Sequence, residues 1–145
     1  MLPWLKACAL SNDSLDMRAE VVQELARSFK DDPDTLTILK ANTNADDWKV
    51  RVVALRELAR GFKDDPDTFT ILKDYAKCND SNIQKVALRE LARGFKNDPD
   101  ILNILKACAS SDDSKVQKAA LRELARGFKI DIQKDKELLK EIRQL

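Results

Sequence analysis

The stretch Leu58-Ala-Arg-Gly-Phe-Lys-Asp-Asp-Pro-Asp67 is written almost unchanged at 25–34 and again at 91–100. Its core, Glu-Leu-Ala-Arg, stands at 24–27, 57–60, 90–93 and 123–126, so the repeat length is 33 residues. Phe29, Phe62, Phe95 and Phe128 keep the same register, as do Pro33, Pro66 and Pro99 and Leu39, Leu72 and Leu105. A fixed period of this size marks an array of identical supersecondary units, each unable to bury its apolar face alone.

Each unit reads as two helices. In Asp65-Pro66, repeated as Asp32-Pro33 and Asp98-Pro99, a side-chain acceptor precedes a proline at the first helical position, where a missing N–H costs nothing. The helix that follows, helix A, carries Phe69, Ile71, Leu72 and Ala76 on one face and stops near Cys78-Asn79. Asp80, with Asp47 and Asp113 in its column, then caps a second helix, helix B, which in the second unit runs from about Trp48 to Gly61. Val50, Ala54, Leu55, Leu58, Ala59 and Phe62 sweep about half of its circumference, too wide an arc for a single partner. Helix B must be covered by its own helix A and by the adjoining unit, which is the logic of a solenoid.

The expectation is an all-α, right-handed α-solenoid of about four 33-residue helix-turn-helix repeats plus a C-terminal capping helix. The repeats run about 1–30, 31–63, 64–96 and 97–129 in one domain, with the last helix over 130–145. There Asp131-Ile132 replaces Asp-Pro, and Leu138, Leu139, Ile142 and Leu145 would point inward. At the other end, Leu2-Pro-Trp-Leu-Lys6 aligns with Leu36-Thr-Ile-Leu-Lys40. The first helix A therefore lacks its Asp-Pro cap, and the natural array is expected to extend upstream, with this chain a fragment of it. That alignment puts Trp4 into the Ile38, Ile71 and Ile104 column, where it is expected to pack. The Leu25, Leu58, Leu91 and Leu124 column and the Phe column are expected to be buried. Gly61, Gly94 and Gly127 either close helix B as left-handed caps or admit a neighbouring helix.

Asp47-x-x-Val50-Arg51-x-x-Ala54 followed by Leu58-Ala59 resembles the short HEAT-like repeats of the phycobilisome-lyase class, over about 90% of the chain. That resemblance implies that the arginine of this motif, Arg18 and Arg51, reaches polar groups in the next repeat. Gln84 and Gln117 replace it later, and the first A–B turn is one residue longer, so an Arg–Asp ladder would be interrupted in the second half. The string Leu-Ala-Arg-Gly-Phe-Lys-Asp-Asp-Pro-Asp-Thr is also similar to the C-terminal HEAT-like arrays of bacterial, especially cyanobacterial, NACHT-type signalling ATPases. It implies a recognition array; no Walker A motif is present to carry nucleotide chemistry.

Composition narrows the chemistry. Of the 145 residues none is His, which removes Ser-His-Asp and Cys-His catalysis and imidazole metal sites, and with them the iron-dependent deoxyhypusine hydroxylase of this repeat class. Cys8, Cys78 and Cys108 lack metal-ligand spacing and read as small buried residues in a reducing compartment. The Asp31-Asp32, Asp46-Asp47 and Asp64-Asp65 pairs lack a Gly-centred calcium loop and read as caps. No apolar run is long enough to span a bilayer, and no signal-peptide core is present, so the expected setting is the cytoplasm. No catalytic residue, metal, small-molecule cofactor or membrane partner is expected.

What remains is the polar face of helix B. Column 56 holds Gln23, Arg56, Arg89 and Arg122; column 60 holds Arg27, Arg60, Arg93 and Arg126; column 57 is Glu throughout. One reading is solvated charge, with Glu57 pairing to Arg60 one turn on. The functional reading is a basic stripe on the concave surface, lined by Arg56, Arg60, Arg89, Arg93, Arg122 and Arg126, that docks acidic groups of another protein or of another part of a larger chain. Trp48, whose column otherwise holds Ser81 and Ser114, is expected to be partly exposed, stapling its turn or touching the partner. Nucleic acid is the weaker alternative, because the net charge is only +1 and exposed aromatics do not interleave the arginines. A phycobilin lyase-like chaperone is a further alternative, separable by whether a bilin co-elutes with the protein.

Overall fold

The computed structural model describes residues 2–11 and 15–128, the backbone alone at Leu15. They form eight helices: α1 (Leu2–Cys8), α2 (Leu15–Ser28), α3 (Pro33–Asn42), α4 (Trp48–Gly61), α5 (Pro66–Tyr75), α6 (Ser81–Gly94), α7 (Pro99–Ala109) and α8 (Ser114–Gly127). No strand occurs among the described residues. Odd-numbered helices are the A helices and even-numbered ones the B helices of four pairs. The chain is an α-solenoid of helical repeats. The expected C-terminal helix over 130–145 lies outside the described residues.

The helices begin where the caps dictate. Asp32, Asp65 and Asp98 accept from the backbone N–H two residues on, each at 2.9 Å, and hold an A helix opened by proline. Asp47, Asp80 and Asp113 each accept from two backbone N–H groups, at 2.9 and 3.2 Å, and start the B helices. These bonds satisfy donors that a helix start otherwise leaves orphaned. The aspartate pairs of the sequence thus supply caps.

The chain divides between Thr68 and Phe69 into two compact units. In the first, α4 packs on its own partner α3 and on α2, the B helix before it, while α1 packs on α2. In the second, α8 packs on α7 and on α6 in the same way. The helices α4 and α8 thereby each cover a wide apolar arc with two neighbours. Leu25, Leu58, Leu91 and Leu124 are fully buried, as are Val50, Ile83 and Val116, with Leu39, Leu72 and Leu105 facing them from the A helices. Thr35 and Thr68 are buried at the turns, and their hydroxyls donate to the Phe29 and Phe62 carbonyls at 2.7 and 2.8 Å. Ile101 fills the same column in the fourth pair.

Four expectations need correction. The Phe column is half-buried rather than buried, because Phe62, Phe95 and Phe128 stand one residue past the end of their helices. Two of the rings lie under cations instead, with Lys30 5.8 Å from the Phe62 ring centre and Lys96 5.9 Å from that of Phe128, while Phe95 stacks on Phe69 at 4.9 Å. Gly61 and Gly127 adopt neither proposed role, since both end their helices without left-handed backbone and no helix crowds them. Trp4 does not pack like Ile38: it is 57% exposed against 6%, and α1 packs on α2 whereas α3 lies against both α2 and α4. The three cysteines are free and half-buried rather than buried.

Two consequences can be measured. Leu91→Ala removes a side chain that is 1% exposed and should lower unfolding free energy by about 2–5 kcal/mol in urea titrations. Gly61→Ala should raise it by about 0.5–1 kcal/mol, because a helical glycine is replaced at no steric cost. The added methyl would meet only the Lys30 side chain, at 4.0 Å.

Candidate interaction face on the second helices

The polar face of the B helices is built from buried glutamates and exposed arginines. Glu57, Glu90 and Glu123 are 7%, 4% and 5% exposed, which overturns the reading of column 57 as solvated charge. In the first unit Arg27 Nε and Nη2 meet Glu57 Oε1 at 3.2 and 3.1 Å; in the second Arg93 Nη2 lies 3.7 Å from Glu123 Oε1. Each bridge joins a B helix to the B helix of the following pair, so Arg27 and Arg93 serve the next glutamate instead of the one three residues before them. The reason is position: column 57 lies at the edge of the apolar arc, tipped toward the preceding B helix. Glu24, on the first pair, is exposed and accepts from the Ser28 hydroxyl at 2.7 Å.

The arginines therefore fall into two sets. Arg27 and Arg93 keep half or more of their side-chain surface in solvent while a buried carboxylate fixes one edge of the guanidinium. Arg56, Arg89 and Arg122 make no ion pair with another described residue; the first two are half-buried along their stems and the third is exposed. Arg60 and Arg126 are exposed. Trp48 is 53% exposed at the first turn of α4, as its column suggested.

Sequence reasoning missed the other charged contacts between pairs. Lys6 Nζ donates to Asp32 Oδ2 at 3.1 Å and Asp34 Oδ2 at 2.9 Å; Lys40 Nζ donates to Asp67 Oδ2 at 2.8 Å and lies 3.3 Å from Asp65 Oδ1. Lys73 and Asp100 repeat the arrangement loosely at 3.9 Å. The capping aspartates thus also tie the end of one A helix to the start of the next. The available signal was the column Lys6, Lys40, Lys73 and Lys106, lysine in every unit. The bond from the Asp34 backbone, then that from Lys6, holds the Asp32 carboxyl below its ordinary 3.8. The Lys40 ammonium is raised above 10.5, chiefly by Asp67.

Column 51 works inside the fold. Arg18, 9% exposed, donates from Nε to Asn42 Oδ1 of the next pair at 2.8 Å, and Asn42 Nδ2 donates to the Ile38 carbonyl. Arg51 Nε donates to the Thr43 carbonyl at 3.2 Å and Gln84 Nε2 to the Ala76 carbonyl at 2.8 Å, each at the end of its own A helix. Glutamine thus keeps the bond that arginine makes at a helix C-terminus. Beside it, burial pushes the Cys108 thiol up, away from the reactive thiolate.

On the A side, a groove of about 470 Å³ runs between α5 and α7, lined by Thr70, Lys73, Asp74, Asp100 and Asn103 among others. Its mixed charges converge on no buried acceptor or nucleophile. Among the described residues no group of three His, Cys, Asp or Glu side chains could hold a metal ion. No described helix is long and apolar enough to cross a membrane.

Paired helices stacked on like pairs, with polar rungs between successive second helices, define a helical-repeat protein. Residues 39–125 match the family of HEAT repeats, and the chain belongs to it. The chain is also similar to a crystal structure of an engineered protein from the Northeast Structural Genomics Consortium, with a TM-score of 0.59 and 25% identity over 97% of this chain. It spans 66% of that protein's length. Comparison with curated proteins finds no match.

Two predictions arise from these contacts. Arg27→Ala strips the buried Glu57 carboxylate of its donor and should cost about 1–3 kcal/mol, whereas Arg56→Ala should stay within about 0.5 kcal/mol of wild type in urea titrations at neutral pH. The Lys–Asp rungs predict an acid and an alkaline limb. Asp32 is stronger as an acid when folded, so its contribution is full above 3.8 and is lost as pH falls through the lower folded value. Lys40 binds its proton more tightly when folded, so its contribution is full below 10.5 and is lost as pH rises through the higher folded value. Asp32→Asn should flatten the acid limb of the urea midpoint and, because Asp32 also raises Lys6, soften the alkaline limb as well.

Proposed function

We propose that this HEAT-repeat chain is a non-catalytic scaffold that holds another protein, or another part of a larger chain, against the polar face of its second helices. The binding residues are Arg56, Arg60, Arg89, Arg93, Arg122 and Arg126, with Trp48 at the margin on α4. The observation that carries this reading is the division of the arginines into two sets. Buried glutamates hold Arg27 and Arg93 in place. Arg56, Arg89 and Arg122 are spent on no ion pair with another described residue. A cation already positioned and only part-covered loses less entropy on meeting a carboxylate than a free one. Because each unit also carries the compensating glutamates, the face favours carboxylates at matched positions over the continuous charge of nucleic acid. Membership of the HEAT-repeat family supports a scaffold role; a recognition role like that of NACHT-type arrays, and the cytoplasm as its setting, are part of the same proposal.

The structure dictates which arginines to change. Reversing Arg93 would set two carboxylates against each other at Glu123 and confound binding with stability. Arg56→Glu, Arg89→Glu and Arg122→Glu together leave the bridges intact. This triple variant should keep wild-type helicity and urea midpoint and lose the proteins that the wild type captures from its native cell. Equal capture by both would reject the column-56 face as the binding surface.

A further inference from the structure

The repeat keeps its register but not its charge. On α2 the polar face carries Asp16, Glu20 and Glu24, all exposed, beside the exposed Arg27. On α6 and α8 no carboxylate is exposed, since their acidic side chains are Glu90 and Glu123, at 4% and 5%. Cations hold that face instead. The helix α6 contributes Lys85, Arg89 and Arg93, and α8 contributes Lys115, Lys118, Arg122 and Arg126, all four of them exposed. Arg93 is tied to Glu123; the others make no ion pair with a described residue. Asp80 and Asp113 stand ahead of the two helices, and each is already accepting from backbone N–H groups. Because α6 and α8 pack on each other inside one compact unit, their cations form a single patch. A net charge of +1 for the whole chain conceals it.

We infer that the α6–α8 face is a docking site for a short acidic segment of a protein. This rests on the reading of the polar face as a binding surface and narrows it to one unit, adding Lys85, Lys115 and Lys118 and setting aside Arg56 and Arg60. The size of the patch limits its occupant. Packed helices lie about 8–10 Å apart, and from Lys115 to Arg126 a helix rises about 16 Å. About five extended residues, or three helical turns, cover that area. Chemistry selects carboxylates over phosphates. Neither helix carries an aromatic ring on which a base could stack. The buried glutamates behind the arginines temper the potential that a continuous phosphate chain exploits. Separate guanidinium and ammonium groups instead suit separate side-chain carboxylates, each taken by a charge-assisted hydrogen bond.

The probe is a fluorescein-labelled oligoglutamate of about ten residues, read by fluorescence anisotropy at low salt, with an oligothymidylate of equal charge as competitor. Lys115→Gln with Arg122→Gln should weaken binding of the oligoglutamate about tenfold. Lys49→Gln with Arg56→Gln removes the same two columns from α4 and should change it less than about twofold. None of the four positions is buried, so both double variants should keep the wild-type urea midpoint. Equal losses from the two double variants would overturn the narrowing to α6 and α8 while leaving the wider face standing. A loss confined to K115Q/R122Q, together with unchanged protein capture by the triple column-56 variant, would uphold the site and reject the wider face as the native binding surface. Tighter binding of the oligothymidylate than of the oligoglutamate, or no binding of the oligoglutamate, would overturn the inference outright.

Discussion

The apolar arc on the second helix is wider than one helix can cover, and the rest of the structure follows from that. A helix packed on a single neighbour hides a stripe of roughly a third of its surface. Here the arc takes about half, and the buried set on α4 runs from Val50 through Val52, Ala54 and Leu55 to Leu58 and Ala59. Two neighbours are required, one from the same pair and one from the pair before, and both units supply them. Pairs cannot be stable alone, so stability resides in the interfaces between them. That is why the period appears in sequence at all: every interface places the same demand on the same columns.

The interfaces also have to deal with charge. A glutamate on the rim of the arc is dragged into burial by its apolar neighbours, and an unpaired buried carboxylate is costly. The arginine of the adjoining second helix answers it while keeping half or more of its own side chain in water. Such a half-exposed bridge contributes little net stability. Its effect is on registration, since a helix pair shifted along its neighbour would leave the carboxylate bare. The lysine bridges to the capping aspartates act at the other edge, between first helices, so successive pairs are pinned on both sides of the apolar layer.

The fold was legible because its signals are local and repeated. Asp-Pro and the second capping aspartate are read from adjacent residues, and all the described caps they announce are present. The leucine column was legible for the same reason. The reach of Arg18 into the next pair, implied by the resemblance, is present; what escaped were the ion pairs between successive pairs of the repeat. Within one helix Glu57 stands three residues from Arg60, and nothing in that helix says that Arg27, thirty residues away, has the better approach. The Phe column was read as core because the wheel was continued one residue past the true helix end. Trp4 was read by alignment to Ile38, but alignment carries the register and not the neighbour. At Gln84 the substitution looked like a loss of pattern, yet Gln84 still bonds a helix-end carbonyl as Arg51 does.

The separation of duties among columns has a consequence for how such a surface can change. Columns 51 and 57 are held by the fold: one closes a helix end, the other is buried and must be answered. In column 60, Arg27 and Arg93 serve both sides, because each is tied to a glutamate and still faces water. Column 56 alone is unconstrained by any described ion pair, and it already varies, with Gln23 in the first pair where the later pairs have arginine. A surface position that can change without disturbing an interface is where binding specificity can be altered at least cost in stability. In a stacked array the freedom recurs once per unit, so a partner is selected by a row of separately adjustable contacts on a frame whose own contacts stay fixed.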